Sequence, residues 1–215
     1  ADTVAEHAVD IETATATSTI TNDDVDLVIA ADQASLDEGQ TGNTAYTFTV
    51  TRSGATDGTT TADFAVTGTG ANPATAADFG GTFPSGTVTF TAGVTTQTIT
   101  VNVTGDRVVE LDEDFIVTLS NAADTVAEHA VDIETATATS TITNDDSAIV
   151  TIEDVTVNEA DGTLTFVITT DNVIDIPIDI RVSYADGTAT GTSGGMAGDF
   201  DNDADTVTLS ANTTM

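Results

Sequence analysis

The chain has 215 residues, with 36 Asp plus Glu against three Arg and no Lys, for a formal net charge of −33 at pH 7. A surface this negative repels nucleic acid and anionic lipid, and no apolar run is long enough to cross a bilayer, so nucleic-acid binding and direct membrane insertion are not expected. The absence of Cys excludes disulfides and thiolate chemistry.

Residues 1–24, ADTVAEHAVDIETATATSTITNDD, recur without change as residues 123–146, a displacement of 123 − 1 = 122 residues. A long fixed period is the signature of a tandem array. The expected organisation is therefore the C-terminal end of a preceding repeat (1–24), one complete repeat (25–146) and the N-terminal part of the next (147–215). Only the middle repeat is expected to bury a complete core from its own chain. Such a period points to a stalk, adhesin or matrix protein rather than an enzyme.

The predicted elements are strands. Residues 44–51 alternate so that Tyr46, Phe48 and Val50 share one face; Val88 and Phe90 do so in 86–90, and Ile99, Val101 and Val103 in 97–103. The low-complexity Thr-Ala run at 13–19 and 135–141 reads as a strand with a Thr face. Residues 174–184 predict a half-buried strand, with Ile174, Ile176, Ile178, Ile180, Val182 and Tyr184 on the dry side. Pro177 within it indicates an edge or a bulge. Asp57-Gly58, Asp161-Gly162 and Asp186-Gly187 are turn dipeptides. Short strands, regular turns and no helical period predict an all-β sandwich.

The carboxylates gather between strands rather than along them: Asp37-Glu38, Asp78, the run from Asp106 through Glu110, Asp112 and Glu113 to Asp114, and Asn144-Asp145-Asp146. Oxygen donors collected from several loops are what Ca²⁺ needs, six to eight of them at about 2.3–2.6 Å. His7 and His129, one repeat position, lack a second His or a Cys and are expected to be surface loop residues. No spaced nucleophile and base exist, and the few aromatics alternate into strand faces, so catalysis is not expected.

These motifs together resemble the Calx-beta domain. The resemblance is carried by Leu36-Asp37-Glu38 and Val157-Asn158-Glu159, by Asp78-Phe79 and Asp199-Phe200, by Asp186-Gly187-Thr188-Ala189, by the strand 86–90 with Ala92-Gly93, by Glu110-x-Asp112-Glu113-x-Phe115, and by the closing Ile142-Thr143-Asn144-Asp145-Asp146. It implies tandem antiparallel Greek-key, immunoglobulin-like β-sandwiches binding Ca²⁺ through loops at one end. Carried over residue by residue, it implies metal ligands at Glu38, Asp78, Asp106, Glu110, Glu113, Asp145 and Asp146. Glu159 and Asp199 are the counterparts in the following repeat, and Asp23 and Asp24 close the preceding one. Gly105, Arg107 and Asn144 depart from a fuller acidic pattern, which implies fewer ions or weaker binding, with Arg107 standing in for an ion.

The function expected from this reading is a non-catalytic calcium-binding structural repeat of an extracellular or cell-surface bacterial adhesin, stalk or fibre, stiffened by Ca²⁺ at domain ends and junctions. Its partners would be neighbouring repeats of the same chain. The alternatives are a module that recognises a surface glycan or protein, or a filament subunit that self-associates into fibres by strand exchange.

Overall fold

The structure is a computed structural model that describes residues 15–19, 22–192, 199–201 and 203–211; His7 and most of the first copied segment lie outside the described residues. Nine strands build the first sandwich: β1 (Val25–Ala31), β2 (Ser35–Asp37), β3 (Gly42–Gly54), β4 (Thr60–Thr69), β5 (Ser85–Phe90), β6 (Thr96–Gly105), β7 (Glu113–Asp124), β8 (Val131–Thr135) and β9 (Thr137–Thr143). One sheet has the order β6-β3-β1-β8, the other β2-β9-β7-β4-β5.

The period-2 pattern decides which side chains face the gap between the sheets. Val25, Leu27, Ile29, Tyr46, Phe48, Val50, Ile99, Val101 and Val103 line it from the first sheet. Ala62, Val66, Val88, Phe90, Phe115, Val117 and Leu119 line it from the second. Phe115 sits among Tyr46, Phe48 and Phe79, edge-on to all three with ring centroids 5.3, 5.9 and 5.5 Å away. That geometry sets positive ring edges against negative faces.

The sandwich is expected to be antiparallel, and two of its pairings are instead parallel: β1 with β8, and β2 with β9. The first and last strands both break in mid-course and change sheets, β1 to β2 through residues 32–34 and β8 to β9 at Ala136. Opening and closing strands therefore run side by side in the same direction in both sheets. The Thr-Ala run forms β9 as a strand with a Thr face: Ser140 and Ile142 are buried, while Thr137 and Thr139 are exposed.

Arg52 extends the inward alternation of Tyr46, Phe48 and Val50 and is 1 % exposed. Its guanidinium lies 5.5 Å from the Phe90 ring centroid and donates to the carbonyls of Gly58, Thr56 and Thr91 and to Thr60 Oγ1 at 2.9–3.3 Å. Thr60 Oγ1 in turn donates to Asp124 Oδ2 at 2.5 Å. His129 is not the surface residue expected. Its side chain is 5 % exposed, with Nδ1 3.2 Å from Asp124 and Nε2 3.3 Å from Asp57. The turn before β8 folds back over the buried Asp124 and carries the imidazole with it.

Beyond residue 146 the strands are short: β10 (Val150–Ile152) pairs with β11 (Ile168–Thr170), β12 (Ile178–Val182) with β15 (Asp205–Leu209), and β13 (Gly191–Thr192) with β14 (Phe200–Asp201). Of the buried apolar residues described there, Ile174 and Leu209 are the two; Ile149, Ile152, Leu164, Phe166 and Tyr184 are exposed. The expected continuous strand 174–184 is interrupted. The backbone bends at Asp175 and Ile176, and the ladder resumes at Ile178. Pro177 has no N–H to continue the pairing and constrains the residue before it. Ile174 pairs instead with Val109 of the first sandwich.

Candidate metal centre

The parallel β2–β9 pair positions the centre. Its register sets Ser35 against Thr141, Leu36 against Ile142 and Asp37 against Thr143, so both chains leave the sheet at the same level and in the same direction. One further ladder bond, Glu38 N–H to the Thr143 carbonyl at 3.2 Å, carries the pairing past the strand end. Glu38, Asp145 and Asp146, on segments 106 residues apart in sequence, thus come together, with carboxylate oxygens within 4.8 Å of one another. Two oxygens bound to one hard cation at about 2.3–2.6 Å are at most about 5 Å apart, so this spacing fits a single ion.

Tyr46 anchors the same pair from below. It is fully buried, and its hydroxyl donates to the Leu36 carbonyl at 2.5 Å with the Thr141 carbonyl 3.2 Å away. Burial, together with Asp37 and Glu38, pushes its pKa up to about 12, so it remains a donor. Tyr46→Phe leaves both carbonyls without this partner. It is expected to lower stability by about 1–2 kcal/mol and to weaken cation binding without abolishing it. Chemical denaturation and titration of the full chain check this; an unchanged midpoint would show that the hydroxyl does not anchor the pair.

The other acidic residues arrive on separate loops. Asp78 lies in the short 3₁₀ turn Ala77–Phe79, held by Phe79 in the core, and accepts from Thr75 N–H at 2.5 Å. Glu113 is the first residue of β7 and is half-buried. Glu110 is half-buried in the β6–β7 loop, and Asp106 is exposed at that loop's start, with Oδ1 accepting from Val108 N–H at 2.7 Å.

The cluster acts as one electrostatic unit. Burial, then repulsion from Glu110, Asp106, Asp146 and Asp145, raises the Glu38 pKa to about 8. Burial, then Asp106, Asp78, Asp175 and Asp146, raises Glu110 to about 7. Burial, then Asp78, Glu110 and Asp175, raises Glu113 to about 8. Among the described residues no Lys, Arg or His forms an ion pair with any of them. Arg107, expected as a substitute for an ion, is exposed and makes no such pair.

Glu38 and Asp146 are 4 % and 8 % exposed, and Glu38 Oε1 and Asp146 Oδ2 are buried with no hydrogen-bond partner. A buried carboxylate oxygen without a donor costs several kcal/mol unless it is protonated or meets a cation. The donor set is oxygen throughout, which suits a hard cation rather than a transition metal.

Two neutral side chains and one glycine that complete the centre are not marked as such by the sequence. Asn144 Oδ1 accepts from Glu110 N–H at 3.2 Å and lies 3.4 Å from Asp146 N, and its Nδ2 donates to the Asp146 carbonyl at 3.1 Å. It splints the β6–β7 loop to the closing Asp pair, so its departure from an acidic pattern has a structural use. Gln40 donates to the Asp145 carbonyl at 3.3 Å and to Asp146 Oδ1. Gly105 abuts the Glu38–Gly39 backbone so closely that a Cβ would stand 2.0 Å from the Gly39 carbonyl oxygen. That contact explains a glycine beside Asp106. The Asn-Asp-Asp triplet was the available signal for Asn144; Gln40 and Gly105 had none.

The remaining expected ligands lie elsewhere. Asp24 precedes β1, where Val25 pairs with Gly54, whereas the centre lies where Gly42 pairs with Gly105; Asp23 and Asp24 are thus at the far end of the sandwich. Asp199 Oδ2 accepts from Thr190 N–H at 2.8 Å, the same carboxylate-to-Thr capping that Asp78 makes with Thr75. Glu159 begins the 3₁₀ turn Glu159–Asp161, and its side chain is outside the described residues.

Fold and centre together define a β-sandwich module with a candidate cation centre at one end. The sequence model of the Calx-beta domain matches residues 21–147 and again 144–211, and the chain belongs to that family. Comparison with curated proteins gives no match. Similar solved structures include the apo form of the Calx CBD1 domain (20 % identity, 57 % of this chain, 98 % of that chain, TM-score 0.45). CBD12 from CALX1.2 is similar at 16 % identity over 88 % of this chain and 71 % of that one, with TM-score 0.46. The calcium binding domain CBD12 of CALX1.1 is similar at 19 % identity over 86 % and 71 %, with TM-score 0.44.

Proposed function

We propose that the chain is a non-catalytic calcium-binding repeat module, in which Ca²⁺ seats among Glu38, Asp145 and Asp146 with Asp78, Asp106, Glu110 and Glu113 around them. One observation carries this reading: two nine-tenths-buried carboxylates, Glu38 and Asp146, each hold an unpartnered oxygen in an acidic cluster without a basic residue. The spacing within 4.8 Å and the all-oxygen donor set favour Ca²⁺; Mg²⁺ demands stricter octahedral geometry and retains more water. Membership in the Calx-beta family supports the same choice.

The module serves as a structural element of an extracellular or cell-surface array whose immediate partners are its neighbouring repeats. The verbatim 24-residue copy, the absence of Cys and the charge of −33 support that setting. Calorimetric titration of the full chain with CaCl₂ tests the binding. Binding in the micromolar to millimolar range is expected, weakened at least about tenfold by Glu38→Gln or by Asp146→Asn. Absence of saturable binding, or wild-type affinity in both variants, would refute the assignment.

A further inference from the structure

Val109, in the loop between β6 and β7, pairs with Ile174 from beyond the first sandwich. Val109 N–H donates to the Val173 carbonyl and Asp175 N–H to the Val109 carbonyl, both at 2.9 Å. Ile174 is 7 % exposed, so this junction excludes water on one side. Val109 stands between Asp106 and Glu110 in sequence, so the pairing sets Asp175 beside the acidic loop. The bend at Asp175 and Ile176, just before Pro177, turns the chain out of the β12 direction at this point.

We propose that Asp175 is a cation ligand supplied in trans by the following unit, so that the centre of one sandwich is completed by its neighbour. Two observations carry it. Two buried, unpartnered oxygens of Glu38 and Asp146 already mark the cluster as a ligand site. Two backbone hydrogen bonds fix Asp175 against the loop that carries Asp106 and Glu110.

A ligand oxygen from another unit has a mechanical consequence. Without an ion, Asp175 adds repulsion to a cluster that already repels itself, which the two backbone hydrogen bonds and the buried Ile174 oppose. With an ion, the same carboxylate becomes an attractive tie, so occupancy sets the stiffness of the joint. This inference rests on the calcium reading above, and its test separates the two.

The test uses the full chain and its Asp175→Asn variant, with Asp179→Asn as a control. Asp179 lies on β12 in the same unit and accepts from Thr208 Oγ1 at 2.6 Å, so its loss removes the same charge from outside the centre. Affinity for Ca²⁺ is measured by calorimetry at fixed ionic strength, and fold by circular dichroism. Asp175→Asn is expected to weaken binding about tenfold while Asp179→Asn changes it less than about twofold. Pulsed distance measurements between spin labels at Thr98 and Thr206 are expected to narrow with Ca²⁺ in the wild type and to stay broad in Asp175→Asn. Equal affinity in wild type and Asp175→Asn would overturn the shared ligand and leave the calcium site standing. Equal weakening by both variants would reduce Asp175 to a general charge effect and also overturn it. A wild-type chain that binds no Ca²⁺ would overturn both readings.

Discussion

Calcium at about 10 mM is expected to raise the thermal midpoint of the full chain's first sandwich by about 10–15 °C over the chelated protein at matched ionic strength, and Glu38→Gln to remove most of that shift. The size follows from linkage. For a dissociation constant of about 10 µM, that concentration is about 1,000-fold in excess and stabilises by about 4 kcal/mol, and each kcal/mol moves the midpoint of a domain of this size by about 3–4 °C. The variant has a second, opposite effect. In the metal-free protein Glu38 is buried against Glu110, Asp106, Asp146 and Asp145, so a neutral amide of the same shape relieves repulsion and desolvation. Glu38→Gln is therefore expected to melt higher than wild type in chelator and lower than wild type in calcium. The crossing separates specific coordination from screening, because NaCl raises both proteins together. A wild-type shift reproduced by NaCl alone, or a variant that keeps the full calcium shift, would sink the assignment.

The metal-free protein is expected to become less stable as pH rises from about 5 to about 8, by roughly 5–10 °C in midpoint. Glu38, Glu110 and Glu113 have folded pKa values raised to about 8, 7 and 8 from the ordinary glutamate value of 4.5. An acid with a raised folded pKa binds more protons folded than unfolded across that window. Its stabilising contribution is complete below about 4.5 and is lost as pH rises through the folded values. Below about 4 the sign reverses, because Asp124, held down by hydrogen bonds from Thr60 and Val126 and by His129, despite an opposing burial effect, contributes stability that is lost on protonation. The optimum for the chelated protein thus falls between about pH 4 and 5. Calcium inverts the trend above it, since the ion takes the carboxylates deprotonated and displaces their protons. Thermal melts from pH 4 to 8 in chelator and in calcium, at constant ionic strength, check both limbs. A chelated midpoint that is flat or rising between pH 5 and 8 would show that these three groups are not coupled as the geometry implies.

The strand-by-strand reading and the structure part company at identifiable places. Tyr46, Phe48, Val50, Ile99, Val101 and Val103 were legible because alternation is local: adjacent side chains on an extended backbone face opposite ways, whatever the rest of the chain does. Arg52 lies on the same inward face, which was not anticipated for a charged residue; its acceptors come from the 54–60 turn and from Thr91, so only the assembled sandwich shows how the charge is satisfied. His129 was misjudged for the same reason. Its partners Asp57 and Asp124 are distant or folded back, and no spacing reveals them. The 174–184 run had a strong alternation, and one Pro together with a competing partner, Val109, broke it.

What the amino-acid order determined by itself is the all-β character, the inward faces, the family motifs and the placing of carboxylates at strand ends, because each depends on residues within a few positions of one another. Which carboxylates meet was decided only by tertiary structure. Glu38 reaches Asp145 and Asp146 because β2 runs parallel to β9 in one register, and a slip of one residue would turn each inward side chain of β9 to the outer face. Asp78 is positioned through a core aromatic, and Asp175 is held against the acidic loop by two backbone hydrogen bonds of the 173–175 segment to Val109. Strand pairing brings together segments more than a hundred residues apart, and the buried oxygens that mark the centre exist only after it has done so.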